Sequence, residues 1–134
     1  MRVNQVAKEL GITVDTVRYY TREGLLQPQT NRKNGYKEYT EKERRRLRFI
    51  VSARQLGFSV KDISQIIAMA DTGKAACPLV RRLIEQRLQE TEQRFQDIGL
   101  LRQRMLAASK EWSKKPDRAP TGTMICHLIE EFVH

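Results

Sequence analysis

The sequence contains few of the residues that mark secreted or membrane-spanning chains. Only two of its 134 residues are cysteines, and no apolar run approaches the roughly 18 residues that a membrane-spanning helix needs. Its first residues lead into a polar helical pattern without an apolar leader. These features are typical of a protein of the reducing cytoplasm, where we expect this chain to reside.

Motifs of catalysis are missing as well. The sequence has no Gly-rich phosphate loop, no HExxH zinc motif and no nucleophile elbow. Its carboxylates mostly fall on what read as solvated helix faces. The pattern therefore favours a binding protein over an enzyme.

Positive charge, in contrast, is abundant. The formal net charge is +9, and residues 1–70 hold 14 Lys and Arg against 7 Asp and Glu, a net +7. A basic excess concentrated in one half of the chain indicates a polyanionic partner, most commonly nucleic acid. The alternative is a basic surface that serves solubility alone.

The N-terminal pattern predicts two short helices. Apolar residues recur at helical spacing over residues 3–10, and Gly11 is expected to end that helix. Thr13 is placed to cap a second helix, which Gly24 ends. Two short helices joined by a tight turn that contains glycine form a helix-turn-helix.

A basic hairpin is predicted next. Asn34-Gly35 is a strong signal for a two-residue hairpin turn, and it is flanked by Arg32, Lys33, Tyr36 and Lys37. These side chains suit a wing that contacts phosphate, although a plain exposed hairpin gives the same pattern. A capping box of Thr40 with Glu43 and an N-cap at Ser59, with Asp62 three residues on, then begin two further helices.

A long helix is predicted from Pro78, with Cys77 at its N-cap and Trp112 at its end. Apolar residues from Ile84 to Met105 follow a 4-3-4-3 rhythm, which is the seam of a coiled coil of about three heptads. The same helix of a second subunit is the economical partner for this seam. The alternative is a helix that folds back on its own domain.

The second helix carries side chains that suit a DNA groove. Thr13 and Thr16 supply hydroxyls, and Arg18 supplies a guanidinium. We expect these groups to reach base edges or phosphates. Of the adjacent pair Tyr19 and Tyr20, one ring is expected to face the core and the other the DNA backbone. The alternative is that both rings belong to the core.

Three blocks of the sequence occur in this order along the chain: "GITVDTVRYYTREGLL", "NGYKEYT" and "RRLRFIVSARQLGFSVKDISQII". Together they resemble the MerR family of bacterial transcription regulators. The resemblance implies a mainly α fold: a winged helix-turn-helix (residues 1–75), a coiled-coil dimerisation helix (76–112) and an effector loop (113–134). It implies a homodimer that binds a promoter palindrome with an overlong spacer. On activation the dimer distorts the DNA, so that RNA polymerase engages both promoter elements.

The resemblance also assigns DNA-contacting residues. It places Thr16, Arg18, Tyr19 and Tyr20 on the recognition helix. Phosphate contacts are implied for the wing and for a later helix, at Arg32, Tyr36, Lys37 and Arg54. The family usually has arginine where Lys37 stands, so that a point charge replaces a guanidinium fork there.

Two cysteines indicate the effector. The helix dipole at Cys77 favours the thiolate, which binds soft metals, and the resemblance associates a cysteine here with response to Zn, Cd, Pb or Hg. "MICHLIEEF" resembles the second half of the family's metal loop and aligns Cys126 with its second cysteine. Trp112 stands where the first is expected. His127 or Asp117 are candidates for the missing ligand, as is the terminal His134.

Other sensing chemistries use the same residues. Cys77 of one subunit and Cys126 of the other are candidates for a redox- or electrophile-sensitive thiol pair. An organic effector is an alternative, held among Trp112, Met124 and Phe132. Buried cysteines also serve simply as small apolar side chains, and a merely architectural DNA-binding protein would use neither thiol.

Overall fold

The computed structural model describes residues 1–132 and is mainly helical. Its elements are α1 (Val3–Leu10), α2 (Val14–Arg22), β1 (Gln29–Thr30), β2 (Lys37–Glu38), α3 (Glu41–Gln55), α4 (Val60–Asp71), α5 (Cys77–Trp112) and α6 (His127–Glu130). The chain forms two compact units that divide between Arg87 and Leu88. None of the helices within residues 1–132 has the length and apolar character of a bilayer span.

The predicted helix-turn-helix is confirmed. Gly11 ends α1 in the left-handed region at φ 68°, and the N–H of Ile12 bonds back to the Ala7 carbonyl at 3.1 Å. The Thr13 hydroxyl caps α2 by accepting a hydrogen bond from the Thr16 N–H at 3.1 Å. Glycine and a hydroxyl therefore set the tight turn between the two helices.

One hydrophobic core holds the first unit together. It buries side chains from α1, α2, α3 and α4, together with Leu25, Leu26, Tyr39, Phe58 and Leu83. Leu83 lies on α5, and Leu79, Val80 and Ile84 pack partly buried against the same core. The first turns of α5 thus belong to the first unit by packing. The functional boundary between residues 75 and 76 stays a prediction.

The wing is a hairpin, but the prediction of a two-residue turn is wrong. Thr30 pairs with Lys37, and six residues, 31–36, connect the strands. A two-residue type I′ turn needs positive φ at both central positions, whereas Gly35 has φ +73° and no non-glycine residue among those described has positive φ. The Asn34 side chain instead accepts a hydrogen bond from the Tyr36 N–H at 3.0 Å, which favours the longer loop.

The predicted N-cap at Ser59 is confirmed, whereas the predicted capping box at Thr40 is wrong. Ser59 and Asp62 cap α4 reciprocally. The Thr40 side chain makes no cap bond, because Glu43 turns into the core and accepts a hydrogen bond from the Gln27 N–H at 2.9 Å. Asp62 also lies 3.0 Å from Arg87 Nε and so ties α4 to the beginning of α5.

The long helix α5 runs without interruption to Trp112, as predicted. Its start differs by one residue: Cys77 lies in the first turn rather than at the N-cap, because the Val80 N–H already bonds to the Ala76 carbonyl at 2.9 Å. From Leu88 onward the predicted seam is exposed in the single chain, with Phe95 79%, Ile98 65% and Met105 60% accessible.

Candidate functional site

The exposed side of α2 presents the groups that the sequence predicted for a nucleic-acid groove. The Thr13 and Thr16 hydroxyls lie 2.7 Å apart at the start of the helix. Arg18 is well exposed and its Nη1 lies 4.0 Å from Asp15. A partner of high negative charge can therefore reach both the hydroxyls and the guanidinium.

The two adjacent tyrosines divide between surface and core. Tyr19 is 38% exposed, whereas Tyr20 is 7% exposed and belongs to the core cluster. Their rings contact at 5.6 Å between centroids with a tilt of 56°. Core packing accounts for the burial of Tyr20, whereas the ring of Tyr19 is accessible; the predicted phosphate contacts of both tyrosines stay predictions.

A groove of about 610 Å³ lies between the N-terminal residues, α2 and the wing. It gathers four cationic side chains and no carboxylate, with Tyr36 at its wing side; the cations are Arg2, Arg18, Arg22 and Lys37. Clustered like charges on a concave surface raise the local concentration of anions. This groove is therefore a candidate anion-binding surface of the first unit.

Two of those cations, Arg2 and Arg22, were not among the sequence candidates. Arg22 lies one helical turn beyond Arg18, so helical spacing alone places both on one face. Arg2 lies in no motif. It reaches the groove because the backbone of Met1 pairs with that of Tyr39, and no local sequence signal predicts this pairing.

Arg32 and Arg54 lie outside the groove lining. Arg32 is exposed in the wing loop. Arg54, in the last turn of α3, donates a hydrogen bond from Nη1 to the Phe58 carbonyl at 2.9 Å, which uses one of the five N–H donors of its guanidinium. Their predicted phosphate contacts stay predictions.

The two cysteines fall in different units. Cys77 is exposed in the first turn of α5, and Cys126 is partly buried directly before α6; both thiols are free. The Cys126 N–H donates a hydrogen bond to Glu130 at 2.8 Å. In residues 1–132, no three His, Cys, Asp or Glu side chains come together as a metal-binding group.

His127 is 3% exposed, and its Nδ1 is buried without a hydrogen-bond partner among the described residues. Nε2 lies 3.0 Å from the Pro116 carbonyl, and Nδ1 lies 3.5 Å from Glu131. Partial desolvation opposes ionisation of Glu131, but the neighbouring His127 and Arg118 hold the pKa of Glu131 below its ordinary value. As a metal ligand through Nε2, His127 has to give up the contact with the Pro116 carbonyl.

The remaining ligand candidates differ in position. Asp117 is exposed in the loop after α5, and His134 lies outside the described residues. Trp112, which stands where the family resemblance expects a cysteine, donates its indole N–H to the Leu128 carbonyl at 3.0 Å and meets Phe132 edge-on at 5.9 Å. Trp112 therefore connects the tail to α5 through its indole N–H and its ring.

A winged helix-turn-helix followed by a long helix defines a DNA-binding regulator by its architecture. Residues 1–70 match the family of MerR HTH regulatory proteins, and residues 44–108 match the MerR DNA-binding family. The chain belongs to the MerR family.

The relatives of the chain are transcription regulators. It is 34% identical over 98 residues to the HTH-type transcriptional regulator ZntR of Escherichia coli K12, which covers 72% of this chain and 70% of that protein. It is 30% identical over 112 residues, 84% of each chain, to a Haemophilus influenzae protein named "Probable heavy metal-dependent transcriptional regulator". The crystal structure of PbrR691 from Ralstonia metallidurans CH34 in complex with lead(II) shares the fold, with a TM-score of 0.70, 21% identity and 98% coverage of both chains.

Proposed function

We propose that this MerR-family regulator acts as a homodimer that binds double-stranded promoter DNA and distorts a promoter with an overlong spacer when an effector binds. The observation that carries the DNA-binding half is the groove of the first unit, where the N-terminal residues, α2 and the wing together combine four cations and no carboxylate. Counterion release from phosphate drives binding to such a surface.

The DNA contacts divide by position. Thr13 at the N-cap, the half-buried Thr16 and the exposed Arg18 lie at the start of α2, where their hydroxyl and guanidinium donors suit base edges and phosphates. Tyr19, Arg32, Tyr36, Lys37 and Arg54 are exposed on α2, on the wing and at the end of α3, and suit phosphate.

The second unit supports the dimer. Phe95, Ile98 and Met105 share the predicted seam of α5 and are at least 60% exposed in the single chain. A second copy of α5 covers this stripe and places two recognition helices on one duplex, as a palindrome requires. Distortion of the DNA between the half-sites is then the step that helps RNA polymerase engage the promoter.

We further propose that the effector is a soft divalent metal ion, among Zn, Cd, Pb and Hg, held by Cys77 of one subunit and Cys126 of the other. Two free thiols and a relative named as heavy metal-dependent support this assignment. Within residues 1–132 of a single chain no group of three ligands assembles, which favours a site shared by two subunits. His127 or Asp117 is the candidate for a third ligand.

Metal titration of the reduced protein tests the effector. Trp112 is the only tryptophan and its indole bonds to Leu128, two residues after Cys126, so its fluorescence reports on the tail. Zn, Cd, Pb, Hg and Cu(I) are added to the wild type, Cys77→Ser and Cys126→Ser, with Ser113→Ala as a variant of the loop that keeps both thiols. We expect tight binding of one ion per subunit, retained in Ser113→Ala and lost in both cysteine variants.

Two outcomes contradict the metal assignment. Tight binding that persists in Cys77→Ser removes Cys77 from the site, and no tight binding of any ion removes metal as the effector. Neither outcome affects DNA binding, which is measured separately. The exposure of Cys77 favours thiol oxidation as the second candidate, and a cross-subunit disulfide on a non-reducing gel after mild oxidant, absent from both cysteine variants, identifies it.

A further inference from the structure

The first two residues form an arm that is anchored to the wing. The Met1 nitrogen donates a hydrogen bond to the Tyr39 carbonyl at 3.0 Å, and the Tyr39 N–H donates to the Met1 carbonyl at 2.6 Å. The Arg2 N–H is held in turn by the Gln5 side chain at 3.0 Å. The arm is therefore fixed between the strand end of the wing and the beginning of α1.

The side chain of Arg2 stacks on the wing. Its guanidinium carbon lies 4.3 Å from the centroid of the Tyr36 ring, within the range of a cation–π contact. Tyr36 is 56% exposed, so this contact is made at the surface. Both side chains line the cationic groove that Arg18, Arg22 and Lys37 complete.

The planar shape of the guanidinium permits two simultaneous interactions. Stacking uses its face, whereas its N–H donors point outward in the plane of the group and bind phosphate oxygens in pairs. A lysine ammonium lacks this division between face and edge. Arg2 can therefore hold Tyr36 and bind an anion in the groove at the same time.

We propose that the N-terminal arm is a separate DNA-contacting element, in which Arg2 binds a backbone phosphate and, by stacking on Tyr36, positions the wing against the same strand. This inference rests on the proposed DNA-binding function and extends it to a residue outside the helix-turn-helix and wing motifs. The four like charges in the groove repel one another until a polyanion arrives, which supports phosphate as the occupant.

A double-mutant cycle with salt titration tests the proposal. The probe is the duplex that the wild-type protein enriches most from a random-sequence library. Its affinity is measured by fluorescence anisotropy between 50 and 200 mM salt. Over this range a protein that makes several phosphate contacts loses about 10³-fold or more in affinity. The variants are Arg2→Gln, Arg2→Lys, Tyr36→Leu and the double variant Arg2→Gln/Tyr36→Leu. Arg45→Gln removes an equal charge outside the groove, from an arginine that pairs with Glu41.

Arg2→Gln is expected to weaken binding by about tenfold and to lower the salt slope by about one unit per subunit, because one phosphate contact is lost. Arg2→Lys is expected to keep the slope near that of the wild type but to lose part of the affinity. The double variant is expected to bind more tightly than the product of the two single losses predicts, because either change alone already removes the stack.

Three results separate the possible failures. An affinity and slope in Arg2→Gln equal to those of Arg45→Gln overturn the phosphate contact. Independent, multiplicative losses in the cycle overturn the positioning role. Failure of the wild type to enrich any duplex overturns the proposed function itself, before Arg2 is tested. Circular dichroism and the melting temperature of each variant exclude unfolding as the cause of a loss.

Discussion

The two units of the molecule differ in whether they bury or expose their apolar side chains. The first unit buries fourteen side chains in one cluster, including Leu26, Leu47 and Ile63. Among residues 88–132, Ala108 and His127 are the buried ones, while Phe95 and Ile98 are mostly exposed. The first unit thus forms a core from its own side chains, whereas the second unit leaves large apolar side chains exposed.

The long helix α5 shows the physical basis of this difference. Its first turns place Leu83 in the core of the first unit, and Arg87 pairs with the buried Asp62 at 3.0 Å. Beyond that point the same apolar rhythm continues, and no element among residues 88–132 covers it. Exposed apolar surface costs about 25 cal/mol per Å² in water, so the stripe favours association with another helix.

The largest expected effect comes from a charge placed on the stripe. Ile98→Glu buries a carboxylate at the proposed seam, and we expect a monomer at concentrations where the wild type is dimeric. Affinity for a palindromic duplex should fall on the order of 100-fold, because two half-sites are no longer bound together. Sedimentation velocity and anisotropy measure the two effects.

Gln103→Glu provides the matched control, since it adds a similar charge to the same helix but off the 4-3-4-3 positions. It should leave the dimer intact. A dimer that survives Ile98→Glu contradicts the seam and leaves the exposed stripe unexplained. The first unit should keep its melting behaviour in both variants, because neither residue contacts its core.

A smaller effect is expected where the second unit does fasten itself. Trp112→Phe keeps an aromatic ring beside Phe132 but removes the hydrogen bond to the Leu128 carbonyl. A bond of this kind contributes about 1 kcal/mol, so the amides of residues 130–132 should exchange with solvent about fivefold faster. Exchange within α4 provides the internal reference. Unchanged exchange in the tail means that the ring contact alone holds it.

How far the sequence predicts the structure depends on how local the determining chemistry is. Gly11, Thr13 and the apolar rhythm of α5 act within a few residues of themselves, and the elements that they predict are confirmed. Asn34-Gly35 and Thr40 also carry strong local signals. There, neighbouring side-chain bonds and the burial of Glu43 prevail over the turn and cap that these signals favour.

The candidate site follows the same division. Spacing on α2 predicts the exposed Arg18, and the alternation of Tyr19 and Tyr20 between surface and core was one of two stated alternatives. Arg2 enters the groove only through pairing between residues 38 positions apart, which no local pattern records. A cross-subunit effector site depends on a second chain, so the spacing of residues within one sequence predicts it even less well.

The smallest expected effect compares how the units respond to acid. In the first unit, Arg46 of α3 donates a hydrogen bond to Asp71 at the end of α4, and this bond holds the pKa of Asp71 below its ordinary value of 3.8. A carboxyl with a lowered pKa in the folded state takes up protons on unfolding, so its contribution is complete above the ordinary value and is lost as pH falls below it. Asp71→Asn should therefore reduce the loss of urea stability between pH 6 and pH 3, a range that spans the ordinary carboxyl pKa of about 4.

Asp97→Asn provides the control in the second unit. Asp97 lies on the exposed part of α5, where it accepts a hydrogen bond from Gln93, and its substitution should leave that loss of stability unchanged. If the two variants behave alike, the ion pair between α3 and α4 does not distinguish the first unit from the second.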